Sequence, residues 1–163
     1  MDYTAAVVTV SDKGSLGLRE DTAGPFLGEL LREDGWRIVH TELVPDEAGR
    51  ISDALLRCAD ELDAALVVTT GGTGFSPRDV TPEATRAILE RETPGIPEAM
   101  RAESMRVTPK GCLSRGAAGI RGRTLIINCP GSRQAAGECL RAVLPALKHG
   151  VDVLRGSASD CGG

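Results

Sequence analysis

Ala64-Ala65-Leu66-Val67-Val68-Thr69-Thr70 runs directly into Gly71-Gly72-Thr73-Gly74. Seven residues without a charge, rich in β-branched side chains and closed by glycines, read as a strand buried on both faces. Such strands belong to parallel sheets covered by helices, so the neighbouring segments should alternate between strand and helix.

They do. Ala5-Ala6-Val7-Val8-Thr9-Val10 is a second buried run, ending at Ser11-Asp12-Lys13-Gly14. Asp21-Thr22 offers a helix N-cap with Pro25 in the first turn; Phe26, Leu27, Leu30 and Leu31 share one face, and Gly35 supplies the stop. Trp36 to Val44 reads as a strand. After Pro45-Asp46 comes a helix with Ile51, Leu55, Ala59 and Leu62 on its stripe. Thr81-Pro82-Glu83 opens another helix, with Thr81 expected at the N-cap. A short helix over 96–105 follows, then two strands, 113–120 and 123–129, around Arg121-Gly122 as a hairpin. Ser132 caps a last helix, 133–154, with Ala136, Leu140, Val143, Leu144, Leu147, Val151 and Leu154 inward and a kink expected at Pro145. The pattern predicts a three-layer α/β/α sandwich around a mostly parallel mixed sheet, one domain over 1–156, and a frayed tail over 157–163.

Composition narrows the function. The chain has 163 residues, 41% apolar and 26% charged, which suits one globular domain. Aromatics make up only 2%, which disfavours single-stranded nucleic-acid binding by stacking. A net charge of −4 provides no global field for nucleic acid or an anionic membrane. The five cysteines, Cys58, Cys112, Cys129, Cys139 and Cys161, include no CxxC pair and read as reduced, mostly buried thiols. No apolar run approaches the roughly 18 residues of a membrane span, and no leader-like segment precedes the first strand. A cytoplasmic location is expected.

In open parallel sheets ligands bind at the carboxyl ends of the strands. Ser11-Asp12, Asp46 and Gly71 to Gly74 all follow strands, so one rim can gather them. Glycines reach positive φ without steric cost, letting successive N–H groups converge on an anion. The run is neither a P-loop nor GxGxxG. A carboxylate beside a phosphate cradle calls for a cation, which makes Asp79 and Asp46 candidate Mg²⁺ ligands. Taken singly, each also reads as a helix-start acid. Lys110, Ser114, Arg115 and Arg121 suit an anionic substrate or simply solvated charge. Pro130-Gly131-Ser132 is a second strand-to-helix turn. His40 and His149 are isolated, and no catalytic triad can be assembled.

The stretch Thr70-Gly71-Gly72-Thr73-Gly74-Phe75-Ser76-Pro77-Arg78-Asp79-Val80-Thr81-Pro82-Glu83-Ala84-Thr85 resembles the signature of molybdopterin-binding proteins of molybdenum-cofactor synthesis. Val44-Pro45-Asp46-Glu47, Glu92-Thr93-Pro94-Gly95, Leu113-Ser114-Arg115, Ala118-Gly119-Ile120-Arg121-Gly122, Asn128-Cys129-Pro130-Gly131 and Leu144-Pro145-Ala146-Leu147-Lys148-His149 extend the likeness from Val7 to Gly156. It is strongest to bacterial molybdopterin adenylyltransferases and to the equivalent domain of plant and animal fusion proteins. One departure is Ser132-Arg133, where many relatives carry an Asn-Pro or similar pair.

The resemblance implies transfer of AMP from Mg·ATP to the terminal phosphate of molybdopterin, with release of pyrophosphate. It implies that Asp46 and Asp79 serve Mg²⁺ and nucleotide orientation. Gly71, Gly72, Thr73, Gly74, Asn128, Pro130 and Gly131 would shape the nucleotide site, and Ser11, Ser104, Ser114 and Arg115 would lie toward the pterin and its phosphate. A homotrimer is implied as well, and a separate protein for molybdate insertion, because the chain is short for a second domain. Two alternatives within the family are a molybdopterin binder without catalysis and an oligomeric scaffold; Asp46 and Asp79 together favour catalysis.

Overall fold

The computed structural model describes residues 1–157. Six strands form one mixed sheet: β1 (Thr4–Val10), β2 (Arg37–Val44), β3 (Leu66–Thr70), β4 (Arg91–Glu92), β5 (Ala118–Arg121) and β6 (Thr124–Cys129). Their order is β2-β1-β3-β6-β5-β4. The first four in that order are mutually parallel, whereas β5 runs antiparallel to β6 and to β4. The helices are α1 (Asp12–Ser15), α2 (Ala23–Glu33), α3 (Ala48–Leu56), α4 (Thr81–Arg86), α5 (Gly95–Val107) and α6 (Arg133–Leu154).

Alternate side chains of each central strand enter different cores, which is why those strands read as unbroken apolar runs. Val7, Leu66, Val68, Leu125 and Ile127 pack with Leu27, Leu31, Met100, Leu140 and Leu147 of α2, α5 and α6. Ala6, Val8, Val67 and Ile126 pack with Ile51, Leu55 and Ala84 of α3 and α4. The three-layer expectation holds. The expected tail, apart from Ser157, lies outside the described residues, as does Cys161.

Several local expectations need correction. Arg57–Glu61 continues α3 as a wider π turn, closed by the Leu62 N–H donating to the Arg57 carbonyl at 3.0 Å. The wider turn shifts the helical phase, so Cys58 and Ala59 are buried while Leu62 is 43% exposed. Of the expected Asp21-Thr22 pair, Thr22 holds the N-cap position of α2 without a side-chain bond, and Asp21 supplies the capping carboxylate, which accepts from the Gly24 N–H at 2.9 Å and from the Thr9 hydroxyl at 2.6 Å. Thr81 is the first residue of α4 and Val80 its cap, because the Val80 carbonyl already accepts from the Ala84 N–H at 3.0 Å; the Thr81 N–H goes to the Gly72 carbonyl at 3.1 Å. Leu113 belongs to a 3₁₀ turn, Pro109–Leu113, so β5 begins only at Ala118. The segment between is held on α5 by Arg101, which donates to the Ser114 and Gly116 carbonyls at 3.3 and 3.0 Å. The hairpin forms, with Gly122 at φ +53. α6 is continuous through Pro145, whose face is exposed.

Candidate active site

The carboxyl ends of β1, β2, β3 and β6 open on one edge of the sheet, and the loops leaving them are bonded to one another. The chain leaving β3 passes between β1 and β6. Gly71 donates to the Cys129 carbonyl at 3.2 Å, and the Thr70 hydroxyl donates to the Pro130 carbonyl at 2.7 Å. A side chain on Gly71 would collide with the Val10 carbonyl oxygen, and one on Gly131 would stand 3.3 Å from the Gly71 Cα. Gly71 and Gly72 sit at φ +103 and +68, in the region that favours glycine. Past them, the N–H groups of Gly72, Thr73 and Gly74 meet no protein acceptor among the described residues. They are available to an anion.

The acids come from three of these loops. Asp12 and Asp46 exchange hydrogen bonds: the Asp12 N–H donates to Asp46 Oδ2 at 2.8 Å, and the Asp46 N–H to Asp12 Oδ1 at 3.0 Å. Arg78 grips Asp12 with two bonds, Nε to Oδ2 at 2.9 Å and Nη2 to Oδ1 at 3.0 Å. The guanidinium holds the Asp12 carboxyl below the usual carboxylate range. Asp79 Oδ2 accepts from the Ser76 N–H at 3.0 Å, closing the turn in front of α4. Neither Asp46 nor Asp79 caps the helix that follows it: Glu47 is the cap residue of α3 and Val80 that of α4. Burial pushes the Asp46 carboxyl above the usual range, and the charges of Asp12 and Asp79 add to the rise.

Two clefts share this edge. The first, about 380 Å³, includes Ser11, Arg19, Asp46, Gly71, Gly72 and Asp79. The second, about 440 Å³, includes Thr73, Ser104, Lys110, Leu113, Ser114 and Glu138. They meet at Gly72, Asp79, Gly131 and Ser132, which line both. Of the expected site residues, Ser11, Asp46 and Gly71 face the first cleft; Thr73, Gly74, Ser104, Ser114 and Pro130 face the second. Ser11 is thereby separated from Ser104 and Ser114. Ser132 caps α6, accepting from the Ala135 N–H at 3.1 Å, so the departure at 132–133 supplies a working cap.

Asn128 and Arg115 line neither cleft. The Asn128 side chain is buried; its Nδ2 donates to the Thr69 and Thr85 hydroxyls at 3.1 and 3.0 Å, and its Oδ1 accepts from the Ala117 N–H at 3.1 Å. Arg115 clamps the glycine loop: Nε donates to the Gly74 carbonyl and Nη2 to the Asp79 carbonyl, both at 2.8 Å, while Nη1 pairs with Glu83. Its own N–H donates to the Thr73 carbonyl at 2.9 Å. Arg121 is paired with Asp60 at 2.7 Å, away from the clefts. Residue-by-residue reading missed the Asp12–Arg78 pair, whose only signal was two opposite charges in adjoining post-strand loops.

Among the described residues no group of three or more His, Cys, Asp or Glu forms a metal-binding cluster. Asp46 and Asp79 nevertheless suit Mg²⁺, which takes one or two carboxylates and completes its shell with water and substrate phosphates. Burial first, and the charges of Asp12 and Asp79 after it, raise the proton affinity of Asp46, and a cation offsets that cost.

The family described as "Probable molybdopterin binding domain" matches residues 6–149. The chain belongs to this family. It is 43% identical over 153 residues to a molybdopterin adenylyltransferase of Helicobacter pylori, covering 93% of this chain and 87% of that one. It is 42% identical to the molybdenum cofactor synthesis protein cinnamon of Drosophila melanogaster, covering 93% of this chain but 25% of that longer protein. The crystal structure of the molybdopterin biosynthesis enzyme MoaB from Thermus thermophilus superposes with a TM-score of 0.90 at 48% identity, over 94% of this chain and 97% of that one. Among the described residues no helix is long and apolar enough to cross a membrane.

Proposed function

We propose that this protein is a molybdopterin adenylyltransferase of molybdenum-cofactor biosynthesis, transferring AMP from Mg·ATP to the terminal phosphate of molybdopterin. The observation that carries this reading is the pair of clefts joined at Gly72, Asp79 and Gly131. Two substrates seated in adjoining clefts can bring their phosphates together at the seam.

Nucleotidyl transfer asks mainly for positioning and charge neutralisation. An ionised phosphate oxygen of molybdopterin attacks the α-phosphorus of ATP. The bond from that phosphorus to the oxygen bridging to the β-phosphorus breaks, and pyrophosphate leaves with the electron pair. The first cleft takes the nucleotide phosphates, with the free N–H groups of Gly72, Thr73 and Gly74 aimed at the charge that builds up on them. The second cleft, walled by Leu113, Pro130 and Ala135, takes the pterin, with Ser104, Ser114 and Lys110 toward its polar edge and phosphate. Asp46 and Asp79 would hold Mg²⁺, which would neutralise phosphate charge. Arg115 and Asn128 support the loop from behind. The working unit is a single domain over 1–156, assembled as a cytoplasmic homotrimer and passing its product to a separate molybdate-insertion protein.

The test is direct. Purified protein given molybdopterin and Mg·ATP should form the adenylate and pyrophosphate in equal amounts. Asp79→Ala should lower turnover far more than it weakens pterin binding. Pterin binding without product in the wild type would return the protein to the non-catalytic branch of its family.

A further inference from the structure

Thr81 is fully buried behind Gly72, which lines the first cleft, and its hydroxyl has no hydrogen-bond partner among the described residues. Leaving such a group unpaired is costly, and an orphan of this kind in a native fold calls for a ligand, water or ion that completes it. The backbone holds the residue in place through the Thr81 N–H on the Gly72 carbonyl. The hydroxyl presses on Gly72 from the side where any other residue would carry its Cβ: a side chain there would collide with Thr81 Oγ1 and stand 3.1 Å from Asp46 Oδ1. Gly72, Thr81 and Asp46 therefore converge on one point beside the first cleft, whose wall Gly72 and Asp46 form. Asp46 Oδ2 is already fixed by the Asp12 N–H at 2.8 Å, whereas Oδ1 faces the glycine.

We propose that Thr81 is a positioning residue for Asp46, its hydroxyl donating to Asp46 Oδ1 in the loaded site so that both carboxylate oxygens are fixed while the cation binds. This assignment rests on the adenylyltransferase reading and deepens it. A carboxylate has about four lone-pair positions; one taken by Asp12 and one by Thr81 leave two for the metal and its waters. In the unloaded protein the hydroxyl lacks its partner, which is a stability cost kept at a functional edge.

Thr81→Val keeps the shape and removes the hydroxyl; Thr81→Ser keeps the hydroxyl and removes a methyl group. Two readouts are needed: Mn²⁺ affinity by electron paramagnetic resonance with ATP present, and kcat and KM with thermal unfolding alongside. Thr81→Val should unfold at or above the wild-type temperature, because an unpaired buried polar group has been removed. It should nonetheless lose about 10–100-fold in Mn²⁺ affinity or kcat/KM, the range for removing a group that orients a metal ligand. Thr81→Ser should recover most of that loss. Wild-type Mn²⁺ affinity and kcat in a folded Thr81→Val would overturn the assignment, as would equal losses in the Val and Ser variants. If Thr81→Val does not fold, Thr81→Ala against Thr81→Ser makes the same comparison. A wild-type protein that binds Mn²⁺ in a Thr81-dependent way yet forms no adenylate would refute the enzyme reading and leave the role of Thr81 standing.

Discussion

Replacing Arg115 with Met keeps the aliphatic stem and removes the guanidinium. Resemblance places this residue at the pterin, but in the structure its nitrogens span the base of a turn. Nε reaches the Gly74 carbonyl and Nη2 the Asp79 carbonyl, each at 2.8 Å, so one planar group pins both ends of the segment that carries Asp79. Hydrogen bonds from a charged donor are worth about 1.5–3 kcal/mol each. The side chain is 33% exposed, so the low end applies, and both carbonyls can be rehydrated when it is gone. The ion pair with Glu83, itself 53% exposed, adds little. A net loss of about 2 kcal/mol in loop order is expected, or about 30-fold in the population of the competent loop.

Because the loop lines both clefts, kcat/KM should fall by about that factor whichever substrate is varied. The Ser76 and Asp79 amides, held now by the Asp79 carboxylate at 3.0 Å and the Ser76 carbonyl at 2.9 Å, should exchange hydrogen faster. Arg115→Lys should recover only part of the loss, since a point charge cannot bridge two carbonyls. A rise confined to the KM for molybdopterin, with exchange at Ser76 and Asp79 unchanged, would show that the guanidinium meets substrate and would refute the clamp.

Asn128→Ala strands the Thr69 and Thr85 hydroxyls and the Ala117 N–H in the core. A loss of about 3 kcal/mol, or roughly 10 °C in Tm, is expected with near-normal turnover in the folded fraction; an intact Tm with a raised KM for ATP would instead make it a nucleotide contact. Asp46→Asn keeps an oxygen for the Asp12 N–H but removes a charge that burial, and after it Asp12 and Asp79, disfavour. Since the folded Asp46 pKa lies above 3.8, its ordinary value, the folded chain binds more protons within that window, and the stability this brings is complete below it and lost as pH rises through the folded value. The variant should therefore melt higher than wild type near pH 7 and level with it below about pH 4, while losing turnover; a lower melting temperature at neutral pH would contradict the cost of that buried charge. In a Cys161→Ser background, a thiol reagent should find Cys112 at once and Cys58, Cys129 and Cys139 only on unfolding, because the latter three are buried and burial pushes the Cys58 thiol up to about 11.

What was legible in the chain followed from burial on two faces. Val7 and Val8, or Leu66 and Val67, enter opposite cores, so their strands leave a continuous apolar mark. The rim followed too, because glycine at 71 and 72 has a steric cause in the Val10 carbonyl and the Thr81 hydroxyl. Leu62 falls on the buried stripe by spacing but lies exposed in the structure, because a π turn changes helical phase without a distinctive residue type. Thr81 reads as a cap, since Thr before Pro is a usual start, and only the bond from the Ala84 N–H to the Val80 carbonyl moves the boundary. Asn128 and Arg115 sit in family motifs, yet their side chains bond to the protein's own groups, Asn128 in the core and Arg115 at the partly exposed base of the loop. A motif shows that a residue type is needed, and both a ligand contact and a loop support satisfy that need.

The edge itself holds two opposite surpluses. The Gly72, Thr73 and Gly74 N–H groups have no acceptor among the described residues, whereas Asp46 carries a charge that burial and its neighbours disfavour. A lone anion would satisfy the N–H groups but meet the carboxylates of Asp46 and Asp79. A lone cation would relieve the carboxylates but face a row of donors. Only a ligand carrying both signs, a metal ion bound to phosphate, satisfies both sets at once. By that reasoning ATP and Mg²⁺ should each bind weakly alone and strongly together. Binding isotherms of ATP with and without Mg²⁺ measure that coupling, expected at roughly 1–3 kcal/mol beyond what Mg²⁺ and ATP gain from each other in solution. In Asp46→Asn the coupling should shrink while metal-free ATP binds more tightly than to wild type. Unchanged coupling would mean that the acids and the glycine loop do not serve one ligand.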